Sequence, residues 1–272
     1  MLIDSHCHLD PAYLPAGPAD VLARAEACGV GAFVCIGVGR DLGAARAAVA
    51  LADERANVFA TVGVHPHDAS GAEQAELAEL AQLARNPRVV AVGEVGLDYH
   101  YDHSPRDVQQ RVFRLMIALA REVRKPLVIH TRSAAPDTIA ILEEENARDV
   151  GGIIHCFSED RLFAERALAL DFDLSFSGIL TFKNAEPIRE AARFAPSERI
   201  LIETDSPFLS PVPLRGKVCE PAYIVHTAKF LAELRQVTSE EIARLTTANV
   251  VRRLSLASIA PAKHDKREVL LT

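Results

Sequence analysis

The sequence predicts an α/β protein, a single (β/α)8 TIM barrel, and three observations carry that reading. Eight short apolar runs are spaced along the chain. Segments with helical spacing separate them, and no G-x-G-x-x-G follows the first run, which sets aside a doubly wound dinucleotide fold. With 272 residues, 49% of them hydrophobic, the chain can bury one large core and has the ordinary size of such a barrel.

The runs lie near residues 2–3, 32–37, 58–64, 89–92, 126–129, 152–154, 172–176 and 200–202. They are nearly continuous and several are rich in β-branched residues, as expected of strands buried on both faces of a parallel sheet. Before strand five, Val108, Val112, Leu115, Met116, Leu119 and Val123 share one helical face. Ser104 as N-cap, Pro105 at the first helical position and Asp107 mark its start, and Pro126 prevents its continuation. A last helix begins at Thr238 with Glu241 in capping-box register and carries Ile242, Leu245 and Val250. The barrel is expected over residues 1–257, with 258–272 as a flexible tail that has lost periodicity.

Composition excludes several classes. No run approaches the roughly 18 apolar residues of a membrane span, and the first residues lack the basic and apolar regions of a secretory signal. The five cysteines form no C-x-x-C pair, so neither a disulfide framework nor a zinc knuckle is expected, and a reducing cytoplasm fits. A net charge of −7, no Trp and only four Tyr argue against gripping long nucleic acid over a wide surface. Small or chain-end substrates remain open, because two divalent ions would outweigh the diffuse negative charge locally. A monomer is the default expectation.

Polar residues fall where the strands end. Strand one runs into His6 and His8, strand three into His65 and His67, strand four into Glu94, strand five into His130, strand six into His155, and strand eight into Glu203 and Asp205. Barrel strands deliver their C-terminal ends to one mouth, so residues spread over two hundred positions converge. Burying so many titratable groups without a compensating ion is costly, which points to a cation cluster rather than packing. Imidazole mixed with carboxylate suits Zn, Mn, Fe, Co or Ni. No Lys ends strand four, so Glu94 is the natural bridge between two ions, and Asp205 can bind metal and accept the proton of an attacking water. Anion contacts are expected from His65 or His67, Arg132, Lys183, and Arg215 or Lys217, with His65 favoured by its place in Gly63-Val64-His65-Pro66. His100 and His103 fall in a polar loop, His226 and His264 read as surface residues, and Cys156 reads as packing.

Seven motifs, IDSHCHLD (3–10), VGVHPH (62–67), VGEVGLDYH (92–100), PLVIHTRSA (126–134), IIHCFS (153–158), SFSGILTFK (175–183) and LIETDSPFLSP (201–211), run in order. On them the chain closely resembles the TatD family of metal-dependent deoxyribonucleases, within the amidohydrolase superfamily. The resemblance implies metal ligands at His6, His8, Glu94, His130, His155 and Asp205, two divalent ions (Mg, Mn or Zn), and His65 near the scissile phosphate. It implies hydrolysis of phosphodiester bonds in DNA, exonucleolytic at chain ends. Cys219 stands where the family usually has Asn, and Leu254 replaces a usual Phe. Amide or ester hydrolysis on the same scaffold, including cleavage of D-aminoacyl-tRNA esters, is the alternative, and a metal-stabilised binding protein is the non-enzyme one.

Overall fold

The computed structural model describes residues 1–10, 14 and 17–256. The expected tail and His264 lie outside these. All eight predicted strands form, as β1 (Leu2–Cys7), β2 (Val30–Gly37), β3 (Val58–Val62), β4 (Val89–Asp98), β5 (Leu127–Arg132), β6 (Gly152–Ile154), β7 (Phe172–Phe176) and β8 (Ile200–Ile202). They pair in parallel in sequence order. The last seam closes through a bridge between Cys7 and Ser206 and through Ser5 Oγ, which donates to the Ile202 carbonyl at 3.0 Å. The protein is a (β/α)8 TIM barrel.

Helices α1 (Gly17–Ala27), α2 (Gly43–Glu54), α3 (Gln74–Leu83), α4 (Arg106–Val123), α5 (Ala135–Glu144), α6 (Arg161–Ala169), α7 (Glu186–Phe194), α8 (Ile224–Arg235) and α9 (Ser239–Arg253) complete the described chain. None is long and apolar enough to cross a membrane. Thr238 caps α9 as expected, its hydroxyl accepting from Glu241 N at 3.1 Å. At α4 the expectation fails by one residue: Pro105 is the N-cap, and the Ser104 hydroxyl instead donates to the His67 carbonyl and accepts from Ser70 N. Leu115, expected on the buried face, is exposed, while Phe113, Ile117 and Ala120 are buried. The apolar stripe of α4 therefore runs wider than the one-face spacing suggests.

Two apolar layers hold the barrel. The larger lies between strands and helices. The smaller takes Ile3, Val34, Phe59, Ala91, Val128, Ile153 and Leu201 from seven strands, together with Val250, Leu254 and Leu256. Helix α9 thus plugs the barrel at the strand N-terminal ends. Asn249 Nδ2 donates to the Ser197 and Ile200 carbonyls, Thr247 Oγ1 to the Met1 carbonyl, and Arg253 reaches both Asp171 and the fully buried Asp173. The opposite end stays open for chemistry.

Strand β4 extends well past its predicted end. Gly93 and Gly96 look like strand breakers, but both are places where β5 comes too close for a side chain. A Cβ on Gly96, which has a φ of +139°, would lie 2.0 Å from the His130 carbonyl oxygen, and one on Gly93 would lie 2.5 Å from Val128 Cβ. The register that results sets Gly96 beside His130 and Asp98 beside Arg132.

Candidate metal centre

Glu94 sits at the middle of the open end and faces five imidazoles. Its Oε1 lies 2.9 Å from His130 Nδ1, 2.8 Å from His155 Nε2 and 3.4 Å from His65 Nε2. Its Oε2 lies 3.4 Å from His6 Nε2 and 3.8 Å from His8 Nε2. The same two nitrogens of His6 and His8 are 3.7 and 3.6 Å from Asp205 Oδ1. One carboxylate therefore divides its oxygens between two sets of donors. Burial would raise the Glu94 carboxyl, but the imidazoles, His155 first, outweigh it and hold the group well below the usual carboxylate range.

The neighbours of these rings decide which nitrogen faces inward. His130 sits between two carboxylates, Nε2 3.1 Å from Asp98 Oδ2 and Nδ1 2.9 Å from Glu94 Oε1; burial lowers its pKa, but these acceptors outweigh it and raise the value. His155 is placed in the same way, Nδ1 3.2 Å from Glu203 Oε1 and Nε2 2.8 Å from Glu94 Oε1, and its pKa is raised well above the ordinary value. A cation would take the place of the hydrogen on the nitrogen facing Glu94, with Asp98 and Glu203 accepting from the other. Outer carboxylates that fix the ring of a ligating imidazole are a recurrent device of metal sites. His65 is set the other way: its Nδ1 accepts from His67 N at 3.2 Å, so Nε2 is a donor. Burial holds its pKa down, which keeps the ring neutral.

The ends of the chain path meet here. Asp4 Oδ1 accepts from Thr204 N at 3.0 Å and from His6 N at 3.3 Å, and Oδ2 accepts from Thr204 Oγ1 at 2.5 Å. Burial pushes the Asp4 carboxyl up to about 8. Asp205 N donates to the His6 carbonyl at 3.0 Å, and Asp205 takes a left-handed φ of 55°. These bonds fix His6, His8 and Asp205 as one unit.

The residues fit a cation. Both nitrogens of the fully buried His6 lack a hydrogen-bond partner, and so does Glu203 Oε2. Burial pushes the His6 imidazole down to about 4, so one of its ring nitrogens keeps a lone pair available. Glu94, Asp98, Glu203 and Asp205 find only imidazoles as ion-pair partners among the described residues, with no Lys or Arg. Clusters spaced to share a metal ion comprise His6, His8 and Asp205; His65, Glu94 and His130; and His6, His155 and Glu203. Imidazole and carboxylate, gathered in one recess, are donors that a divalent transition ion takes.

The centre opens into a cavity of about 1240 Å³, bordered by His65, His67 and Arg132 among the expected anion contacts. Lys183 and Arg215 do not border it. Lys183 is exposed after β7, and the Arg215 guanidinium lies 3.7 Å over the Phe182 ring with Nη1 on the Ser210 carbonyl, which occupies it in its own loop. Lys217 is exposed in that loop, and His226 is half-buried on α8. Cys156 borders the cavity rather than being packed away. Burial raises its thiol well above the ordinary value, so it stays protonated against Ser177 Oγ. Cys219 is buried beneath the loop after β8 and its amide donates to the Pro207 carbonyl.

Two functional carboxylates escape the strand-end reading. Asp98 lies four residues beyond Glu94 and would have been found had β4 been extended through its glycines. Asp4 lies within β1, just past the two-residue apolar run, where only its partnership with Thr204 reveals it.

An eight-stranded barrel with a histidine and carboxylate cluster at its open mouth belongs to the class of metal-dependent barrel hydrolases. The family model described as TatD related DNase matches residues 3–255. The chain is 44% identical over 252 residues to the uncharacterized metal-dependent hydrolase YabD of Bacillus subtilis, covering 93% of this chain and 98% of that one. It is 46% identical over 254 residues to the uncharacterized metal-dependent hydrolase YcfH of Escherichia coli K12, covering 92% and 94%. The crystal structure of YjjV, a TatD homolog from Escherichia coli K12, superposes with a TM-score of 0.85 at 27% identity over 94% of this chain and 98% of that one. A zinc-bound amidohydrolase from Burkholderia multivorans shares the fold at a TM-score of 0.61 and 17% identity, covering 94% of this chain and 100% of that one. The chain belongs to the TatD family and is a metal-dependent hydrolase.

Proposed function

We propose that the protein hydrolyses phosphodiester bonds in DNA at chain ends, using two divalent cations (Mg, Mn or Zn). The observation that carries this reading is the division of Glu94, with Oε2 towards His6 and His8 and Oε1 towards His130 and His155. In it, His6, His8, Glu94 and Asp205 would hold one cation, and Glu94, His130 and His155 the other. Cations held there would lower the pKa of a water towards neutrality and stabilise negative charge on the phosphoryl oxygens. Asp205, facing His6 and His8 from the cavity side, accepts the proton of the attacking water. The neutral Nε2–H of His65 donates to a non-bridging phosphate oxygen, and Arg132 at the rim supplies a fixed positive charge. Membership of the TatD related DNase family supports DNA as the substrate.

The test is chelation with EDTA followed by add-back of Mg, Mn or Zn, assayed on 5′- and 3′-labelled oligonucleotides beside amide, carboxyl ester and D-aminoacyl-tRNA substrates. Cation-dependent shortening of the oligonucleotides is the expected result. Full activity after chelation, or turnover confined to the amide or ester substrates, overturns the reading.

A further inference from the structure

Away from the centre the cavity runs out over the loop between β4 and α4, and this wing is built of rings. Tyr101 is 51% exposed, while its backbone amide donates to the buried Asp98. Its ring lies parallel to that of His103, with centroids 5.6 Å apart and planes 6° apart. The Arg132 guanidinium carbon is 4.8 Å from the Tyr101 centroid, and His67 meets it edge-on at 5.4 Å. All four side chains border the same cavity as Glu94.

Asp98 ties this wing to the centre. Its Oδ1 accepts from His100 N at 3.0 Å and Tyr101 N at 2.9 Å, which pins the loop. Its Oδ2 accepts from His67 Nε2 at 2.9 Å and His130 Nε2 at 3.1 Å. Ring centroids of His67 and His130 are 6.3 Å apart, so the wing begins one side chain away from the centre. An exposed ring held this firmly, beside a guanidinium, is suited to a flat π-system that also carries negative charge.

We propose that Tyr101, His103 and Arg132 form a shelf on which the nucleobase adjoining the scissile phosphate stacks. The proposal rests on the phosphodiester reading above. Stacking on an aromatic ring takes any base, because every base has a π-face, and the guanidinium answers the phosphate beside it. A base inside a duplex has both faces covered, so the shelf takes only a base with a free face, as at the end of a strand.

Two measurements test it. The chain has no Trp, so Tyr101→Trp places a single indole on the shelf. Titration with a short single-stranded oligonucleotide is expected to quench its fluorescence saturably, and the matching abasic oligomer is not. In cleavage assays the wild type is expected to favour the base-bearing over the abasic terminal residue by about tenfold in KM. Tyr101→Phe keeps that ratio and Tyr101→Ala closes it. An unresponsive indole, or an unchanged ratio in Tyr101→Ala, overturns the shelf. If the wild type cleaves neither oligomer under any added cation, the phosphodiester reading fails, and the indole titration decides the shelf independently.

Discussion

Asp98 Oδ2 lies 3.1 Å from His130 Nε2, and this contact leaves Nδ1 as the ring nitrogen turned towards Glu94. Replacing Asp98 with Asn keeps the shape but removes the charge that holds two imidazole hydrogens. Cation affinity in Asp98→Asn is expected to fall about 10- to 100-fold while the barrel stays folded. Calorimetric titration with Mn or Zn measures it, and wild-type affinity would remove Asp98 from the centre.

Glu94 is asked to serve both halves of the site. Glu94→Ala is expected to lower kcat by more than about a thousandfold, consistent with loss of several kcal/mol of transition-state stabilisation. Bound metal per chain, read by elemental analysis, should fall with it. A wild-type rate in this variant would show that the bridge is misassigned.

Gly96 tests the packing that brings β4 against β5. Gly96→Ala puts a methyl group 2.0 Å from the His130 carbonyl oxygen at a φ of +139°. The strain and overpacking together should cost about 3 kcal/mol or more, which lowers Tm by roughly 6–12 °C. Thermal denaturation followed by circular dichroism is the measurement, and an unchanged Tm would mean that the two strands can separate freely at this point.

Acid stability has a candidate at the plugged end. Hydrogen bonds from Arg253 hold the Asp171 carboxyl below its ordinary range. A carboxyl whose folded pKa is depressed stabilises the fold above its unfolded pKa of about 4, and that contribution disappears as pH falls through the folded value. The Asp171 side chain is 46% exposed, so solvent limits the effect to less than about 1 kcal/mol. Urea unfolding of wild type and Asp171→Asn should therefore differ at pH 6 and converge towards pH 2. A constant difference across that range would assign the effect to something other than this carboxylate.

The sequence is most informative where chemistry and periodicity coincide. Strand-end histidines announce themselves because His65, His130 and His155 each directly follow an apolar run. Asp98 stays hidden because Gly93 and Gly96 interrupt the pattern, and only the approach of Val128 and His130 shows that those glycines belong inside a strand. Asp4 is hidden because the apolar run before it is only two residues long, so nothing local shows that β1 continues through it to Cys7. Ser104 was legible as a polar residue before a helix, but its choice of His67 and Ser70 over the helix N-terminus depends on a loop brought in from β3. Arg215 and Lys183 look like anion contacts by charge and position alone. The Phe182 ring, which occupies Arg215, is a tertiary fact that no local pattern contains.

The bond from Thr204 N to Asp4 spans 200 positions, and it holds together the two segments that present His6 and Asp205. A chain that stops short of residue 204 lacks one partner of that bond, so the half of the centre that joins His6 to Asp205 waits for the last strand, whereas Glu94, His130 and His155 are supplied by β4 to β6.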